Sequence, residues 1–139
     1  MRRGRSRSIK RCVVDASALV EVLLRSSRGV VLQRKLEGAH LAAPDLINAE
    51  VLQALRRLAA AGEISAERGR TMAARLADAP IERLTTTGLA LTIWSLRDNL
   101  SAYDATYVAL TEMTDATSLL TTDVRVANAP GIRCVVQLL

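Results

Sequence analysis

The stretch Cys12-Val13-Val14-Asp15-Ala16-Ser17-Ala18-Leu19-Val20 constrains the fold more than any other. An apolar run stops at an acid and resumes at once with helical character. Consecutive apolar and β-branched residues without polar alternation suit a strand covered on both faces, as in a parallel sheet. The carboxyl ends of such strands are where open α/β sheets gather their ligands, so the run predicts a strand that delivers Asp15 to a functional edge. Asp15 or Ser17 also suits the cap of the following helix, because a short side-chain oxygen accepts a free N–H of the first turn. On this stretch alone the two readings stand side by side.

A chain of 139 residues that is 50% hydrophobic supports one domain with one core. No apolar run nears the roughly 20 residues that cross a bilayer, and the start lacks the apolar stretch of a secretory signal. The expectation is a soluble, cytoplasmic protein with no membrane partner. Cys12 and Cys134, the two cysteines, each lie in an apolar run without metal-ligand spacing, and are expected to be buried, reduced thiols. The net charge of +5 is mostly local: residues 1–11 hold six of the 19 basic residues and no acid, leaving 13 bases against 14 acids over the other 128 positions. Residues 1–10 are expected to form a basic, disordered leader, able at most to hold phosphates non-specifically. The domain is then 11–139.

Strand one, Arg11 to Val14, leads to a helix from Ala16 to Leu24, broken at Ser26-Ser27-Arg28-Gly29. A helix from Val30 to Leu36 stops before Gly38. Leu41 to Ala43 is strand two, and Pro44-Asp45 opens a long helix from Leu46 to Ala61. Ser65 caps a helix running to Asp78. Ile81 to Leu84 is strand three, followed by a helix from Leu89 to Arg97. Ser101 starts a helix reaching Thr114. Ser118 to Thr121 is strand four, Val124 to Ala127 a helical turn, and Arg133 to Gln137, after Pro130-Gly131, the last strand. Strands alternating with helices over short connections predict an α/β fold: a mainly parallel sheet sandwiched by helices.

Asp15 and Asp123 both follow buried strands and therefore share one edge of the sheet. Glu50 interrupts the apolar stripe of Ile47, Val51, Ala54, Leu55 and Leu58, where a charge needs a partner; Arg56 or Arg57 is one, a bound cation another. Asp104 either completes a capping box with Ser101 or joins the site. Carboxylates gathered in a partly dry cleft raise one another's pKa, and a cation relieves this. Hard oxygen donors without a Cys or His pair select Mg²⁺ or Mn²⁺.

Together, Val13-Val-Asp15-Ala-Ser17-Ala-Leu-Val20, Pro44-Asp-Leu-Ile-Asn-Ala-Glu50-Val51, Leu100-Ser-Ala-Tyr-Asp104-Ala-Thr-Tyr-Val-Ala-Leu110 and Leu119-Leu-Thr121-Thr-Asp123-Val-Arg125-Val-Ala127 resemble the PIN-domain ribonucleases, specifically VapC-type toxins of bacterial toxin–antitoxin modules. The resemblance spans about residues 11–139; the basic leader is its one departure. It implies a three-layer α/β/α sandwich with a five-stranded parallel sheet in the order 3-2-1-4-5, and a metal-dependent endoribonuclease that arrests growth. It further implies an RNA substrate, a VapB-type antitoxin partner and a homodimer. Asp15, Glu50, Asp104 and Asp123 take the family's acidic positions, as catalytic residues and ligands of Mg²⁺ or Mn²⁺, with Glu50 holding metal or orienting water. Ser17 and Thr121 match its hydroxyl positions beside the metal. The implied strand order sets Cys12 on strand one and Cys134 on strand five, beyond disulfide reach.

Two other readings remain: a non-catalytic PIN-like RNA-binding or scaffold domain, and a receiver or haloacid-dehalogenase-like phosphoryl-transfer domain. The second uses a lysine near its site, and Lys10 and Lys35, the only lysines, follow no late strand. His40, the single histidine, excludes a histidine-pair ribonuclease mechanism and reads as structural. An aromatic content of 2% offers no obvious platform for stacking bases. The expected apolar surface for partners lies on the helices Val30 to Leu36 and Leu46 to Leu58, with Leu55 and Leu58 as its centre.

Overall fold

A computed structural model describes residues 10–139. The leader expected over residues 1–10 lies, apart from Lys10, outside the described residues. Five strands, β1 (Arg11–Val14), β2 (His40–Pro44), β3 (Ile81–Leu84), β4 (Ser118–Thr121) and β5 (Val136–Leu138), form one sheet in the order β3-β2-β1-β4-β5, every pair parallel. The α/β fold is the one the sequence predicts, and the strand order is the one the family resemblance implies.

Seven helices connect the strands: α1 (Ala16–Leu24), α2 (Ser27–Lys35), α3 (Leu46–Ala60), α4 (Ala66–Asp78), α5 (Ala90–Ser95), α6 (Ala102–Met113) and α7 (Val124–Ala127). Parallel crossovers are right-handed, so the chain's step from β1 to β2 to β3 lays α1–α4 on one face, and its return across the sheet to β4 lays α5 and α6 on the other. The direction reverses between β1 and β4. Their carboxyl ends consequently splay connections to opposite faces and leave a crevice.

The core explains the pairing. Val13, Val14, Leu119 and Leu120 are all but fully buried at the sheet centre, with Val108 and Ala109 of α6 and Ile47 and Val51 of α3 equally inaccessible. Two threonine hydroxyls buried with them are satisfied locally: Thr111 Oγ1 donates to the Tyr107 carbonyl and Thr106 Oγ1 to that of Ala102, both at 2.7 Å.

Three expectations need correction. The break after α1 is shorter than expected: Arg25 and Ser26 alone separate the two helices, and the Ser26 hydroxyl accepts the Gly29 N–H and caps α2, which starts at Ser27 rather than Val30. A Cβ on Gly29 would stand 2.0 Å from the Glu21 carbonyl oxygen, so glycine is what lets α2 cross α1 so closely. The helix expected from Leu89 to Arg97 is a 3-10 turn (Thr87–Leu89) running into the short α5. Finally, β5 begins at Val136, not Arg133, because the Arg133 and Cys134 N–H groups turn to the Glu112 carboxylate instead of to a strand.

Cys134 accordingly precedes β5 and is half-buried, while Cys12 is buried; both thiols are free. Burial, and then Glu112, push the Cys134 thiol up to about 11, which keeps it an unreactive thiol. Among the described residues, no helix is long and apolar enough to cross a membrane.

Candidate active site

At the switch between β1 and β4, side chains tie the two strand ends together. Asp15 caps α1, its Oδ1 accepting the Ala18 N–H at 3.0 Å and the Ser17 hydroxyl at 2.6 Å. Ser17 Oγ in turn accepts the Thr122 N–H at 3.0 Å and lies 3.5 Å from Thr121 Oγ1. Thr121 Oγ1 accepts the Asp123 N–H at 2.9 Å, and Asp123 caps α7. The capping reading of Asp15 thus holds. It caps the helix through Oδ1.

Glu50 comes from α3, where Ile47 and Val51, its stripe neighbours, are fully buried. Neither Arg56 nor Arg57 pairs with it; its Oε1 is buried and has no partner among the described residues. The Tyr107 hydroxyl on α6 is likewise buried and unpartnered. The two groups stand close enough to perturb each other's ionisation yet fall short of hydrogen-bond geometry. Asp104 sits in the first turn of α6. Ser101 accepts the Asp104 N–H at 3.1 Å, but no bond returns from the Asp104 carboxylate to the Ser101 backbone, so only half of the capping box forms.

Charge links the four acids. Burial holds the Asp15 carboxyl above its usual range, against the hydrogen bonds of Ser17, Thr121 and the Ala18 N–H, and the Asp104 charge pushes it further. Burial also raises Glu50, as do Asp104 and Asp15. Asp104 rises for the same first reason, with Asp123 adding. Asp123 is the exception: hydrogen bonds from Arg125 hold it below the normal carboxylate range. As the side chains stand, no three acid, imidazole or thiol groups among the described residues enclose one point at ligand distance.

The acids still suit a hard cation. Every donor is a carboxylate oxygen, the Glu50 orphan is a buried acceptor lacking a donor, and three of the four acids are held in surroundings that disfavour their charge. A cleft of about 660 Å³, lined by Ser17, Glu50, Arg57, Tyr103 and Thr122 among others, opens beside them.

The opposite edge of the sheet is different in kind. At the amino ends of β1, β2 and β3, Arg11 and His40 both pair with Glu82, and all three side chains are well exposed. His40 thus has a surface ion-pair role, remote from the acids.

Composition gave no stacking platform, yet Tyr103 is 60% exposed and lines the cleft, and Trp94 is 66% exposed with Arg97 over its ring at 4.8 Å. Two groups at the site escaped the sequence analysis. Tyr107 reads there as core because its spacing is apolar, and Arg125 only completes a motif. The expected partner surface also shifts, because Leu55 is 4% exposed and belongs to the core, whereas Val30, Val31 and Leu52 face outward.

The PIN domain family model matches residues 12–132. The chain is similar to Ribonuclease VapC1 of Mycobacterium tuberculosis, 40% identical over 129 residues that cover 91% of this chain and 96% of that one. Among solved structures it is similar to M. tuberculosis VapC20, a sarcin–ricin loop cleaving toxin, with a TM-score of 0.65, 16% identity and coverage of 89% and 98%. VapBC2 from Rickettsia felis, bound to a DNA fragment from its promoter, gives a TM-score of 0.65 at 11% identity and coverage of 92% and 98%.

Proposed function

The chain belongs to the PIN-domain family, with VapC ribonucleases among its relatives, and from that premise we propose that its acidic edge is the active centre of a divalent-metal-dependent endoribonuclease, the toxin of a VapBC-type module. One observation carries the reading: Asp15, Glu50 and Asp104, at the end of β1 and on α3 and α6, each have a carboxyl raised by burial and raised further by neighbouring acids. A stable fold gains nothing from three mutually repelling carboxylates. A phosphodiesterase does.

Asp15, Asp104 and Asp123 would hold Mg²⁺ or Mn²⁺, with Glu50 as a further ligand or as the acceptor that orients the attacking water. The cation, when bound, lowers the pKa of a coordinated water and neutralises charge on the scissile phosphate. Ser17 fixes the Asp15 rotamer by donating to Oδ1. Thr121 holds the Asp123 backbone N–H and thereby the turn that presents its carboxylate.

The partners follow from the same reading. The substrate is RNA, with Tyr103 and Arg57 in the cleft as base and phosphate contacts. A VapB-type antitoxin covers the cleft and the exposed apolar residues beside it, and a second copy of the chain completes a homodimer. The test is RNA cleavage by purified protein in Mg²⁺ or Mn²⁺. Excess EDTA, Asp15→Asn and Asp104→Asn should each abolish it, with the variants as stable as wild type or more so. Wild-type rates in EDTA, or from Asp15→Asn, would refute the assignment.

A further inference from the structure

Asp123 differs from the other three acids in already having a cation. Arg125 donates from Nε to Oδ1 at 3.2 Å and from Nη2 to Oδ2 at 2.9 Å, and its backbone N–H adds a bond to Oδ1 at 2.9 Å. A guanidinium fork set on both oxygens of a carboxylate occupies the lone pairs that a divalent ion would use. The Arg125 side chain is 87% exposed against 24% for Asp123, so the carboxylate itself, rather than packing, keeps the fork in place. The other three acids have no such partner: the ion pairs among the described residues are Arg11 with Glu82, His40 with Glu82, and Arg125 with Asp123.

We propose that Arg125 is an internal latch on the fourth acid: it occupies the Asp123 carboxylate before a divalent cation binds, and a cation that takes Asp123 as a ligand must displace it. The inference rests on the metal-dependent reading given above and deepens it. It accounts for Asp123 alone of the four acids having an ion-pair partner among the described residues. It also makes cation uptake a two-sided exchange. The ion gains a carboxylate and the guanidinium is released, still tethered two residues away at the rim of the cleft.

An exposed bidentate pair of this kind holds its partner weakly, so the competition should cost the cation about fivefold in affinity. Calorimetric titration with MnCl2 at fixed ionic strength, without RNA, measures it. Arg125→Ala should bind Mn²⁺ about fivefold more tightly than wild type. Arg125→Lys, which keeps the charge but loses the fork, should also bind more tightly. In the Asp123→Asn background, Arg125→Ala should change affinity less than twofold. Unchanged or weaker binding by Arg125→Ala would overturn the latch, as would the same tightening in the Asp123→Asn background, where only the general field of the arginine remains. If wild type takes up Mn²⁺ and these differences are missing, the latch alone fails. If no protein, wild type included, takes up Mn²⁺, the metal reading fails and the latch with it.

Discussion

Replacing Ser17 by alanine tests whether the hydroxyl really joins the two central strand ends. The Ser17 Oγ donates to a carboxylate oxygen of Asp15 at 2.6 Å and accepts the Thr122 N–H at 3.0 Å. A hydrogen bond to a charged group contributes about 1.5–3 kcal/mol. The Thr122 N–H is half-buried and regains part of its bond from water, which adds about 0.5 kcal/mol to the loss. Alanine recovers about 0.5 kcal/mol through its better helix propensity in α1. The balance is a destabilisation of about 2 kcal/mol, or a fall in Tm of roughly 8 °C for a chain of this length. Urea denaturation at pH 8 reads it directly. In an Asp15→Asn background the bond to Ser17 becomes neutral and the cost of Ser17→Ala should halve, giving a coupling of about 1 kcal/mol. A loss below about 0.5 kcal/mol, or full additivity of the two changes, would refute the reasoning.

Further consequences are equally specific. Because burial raises the carboxyls of Asp15, Glu50 and Asp104, they stabilise the fold below their unfolded pKa of about 4, and that contribution is lost as pH rises through the folded values. In EDTA, the Tm of Asp15→Asn should therefore gain on wild type as pH climbs from 4 to 8; a constant or shrinking gap would contradict the shift. Gly29→Ala places a methyl 2.0 Å from the Glu21 carbonyl oxygen and must part α1 from α2, at a cost of about 3 kcal/mol in the unfolding free energy measured with urea. Gly88→Ala meets nothing within 4 Å and should stay within about 0.5 kcal/mol of wild type; equal losses at the two sites would dismiss the crossing argument. Tyr103→Ala removes an exposed ring from the cleft and should raise the KM for RNA at least fivefold, the lower end of roughly 1–3 kcal/mol per stacked base, with kcat changed less; an unchanged KM would exclude Tyr103 as a base contact.

What the sequence made legible was whatever depends on local periodicity. Val13-Val14 and Leu119-Leu120 read as covered strands because nothing polar interrupts them, and each run ends near an acid, so the edge they share could be placed before any coordinates. Glu50 was conspicuous for breaking an apolar stripe. The misses are all long-range. Gly29 looks like a helix breaker until α1 is seen passing against it. Arg133 and Cys134 have strand-like side chains, but the Glu112 carboxylate, 21 and 22 residues away in sequence, takes their N–H groups. Leu55 sits on a helix face that pattern alone cannot assign to core or surface, and α4 packs against α3. Tyr107 and Arg125 carry roles at the site only through what they face, Glu50 in one case and Asp123 in the other, and neither pairing has a sequence signature that distinguishes it from an ordinary core tyrosine or surface arginine.

The central claim is that the edge at Asp15 binds a divalent cation, and locating the ion tests it most directly. Crystals of the protein grown with Mn²⁺, measured at a wavelength where manganese scatters anomalously, should show a peak at the carboxyl ends of β1 and β4. It should lie about 2.0–2.2 Å from carboxylate oxygens of Asp15 and Asp104, with Glu50 within reach directly or through one water. The Asp15→Asn protein should lose that peak under the same conditions. A manganese peak only at the exposed Glu82–His40 cluster on the opposite edge, or none at Asp15 at saturating Mn²⁺, would contradict the account.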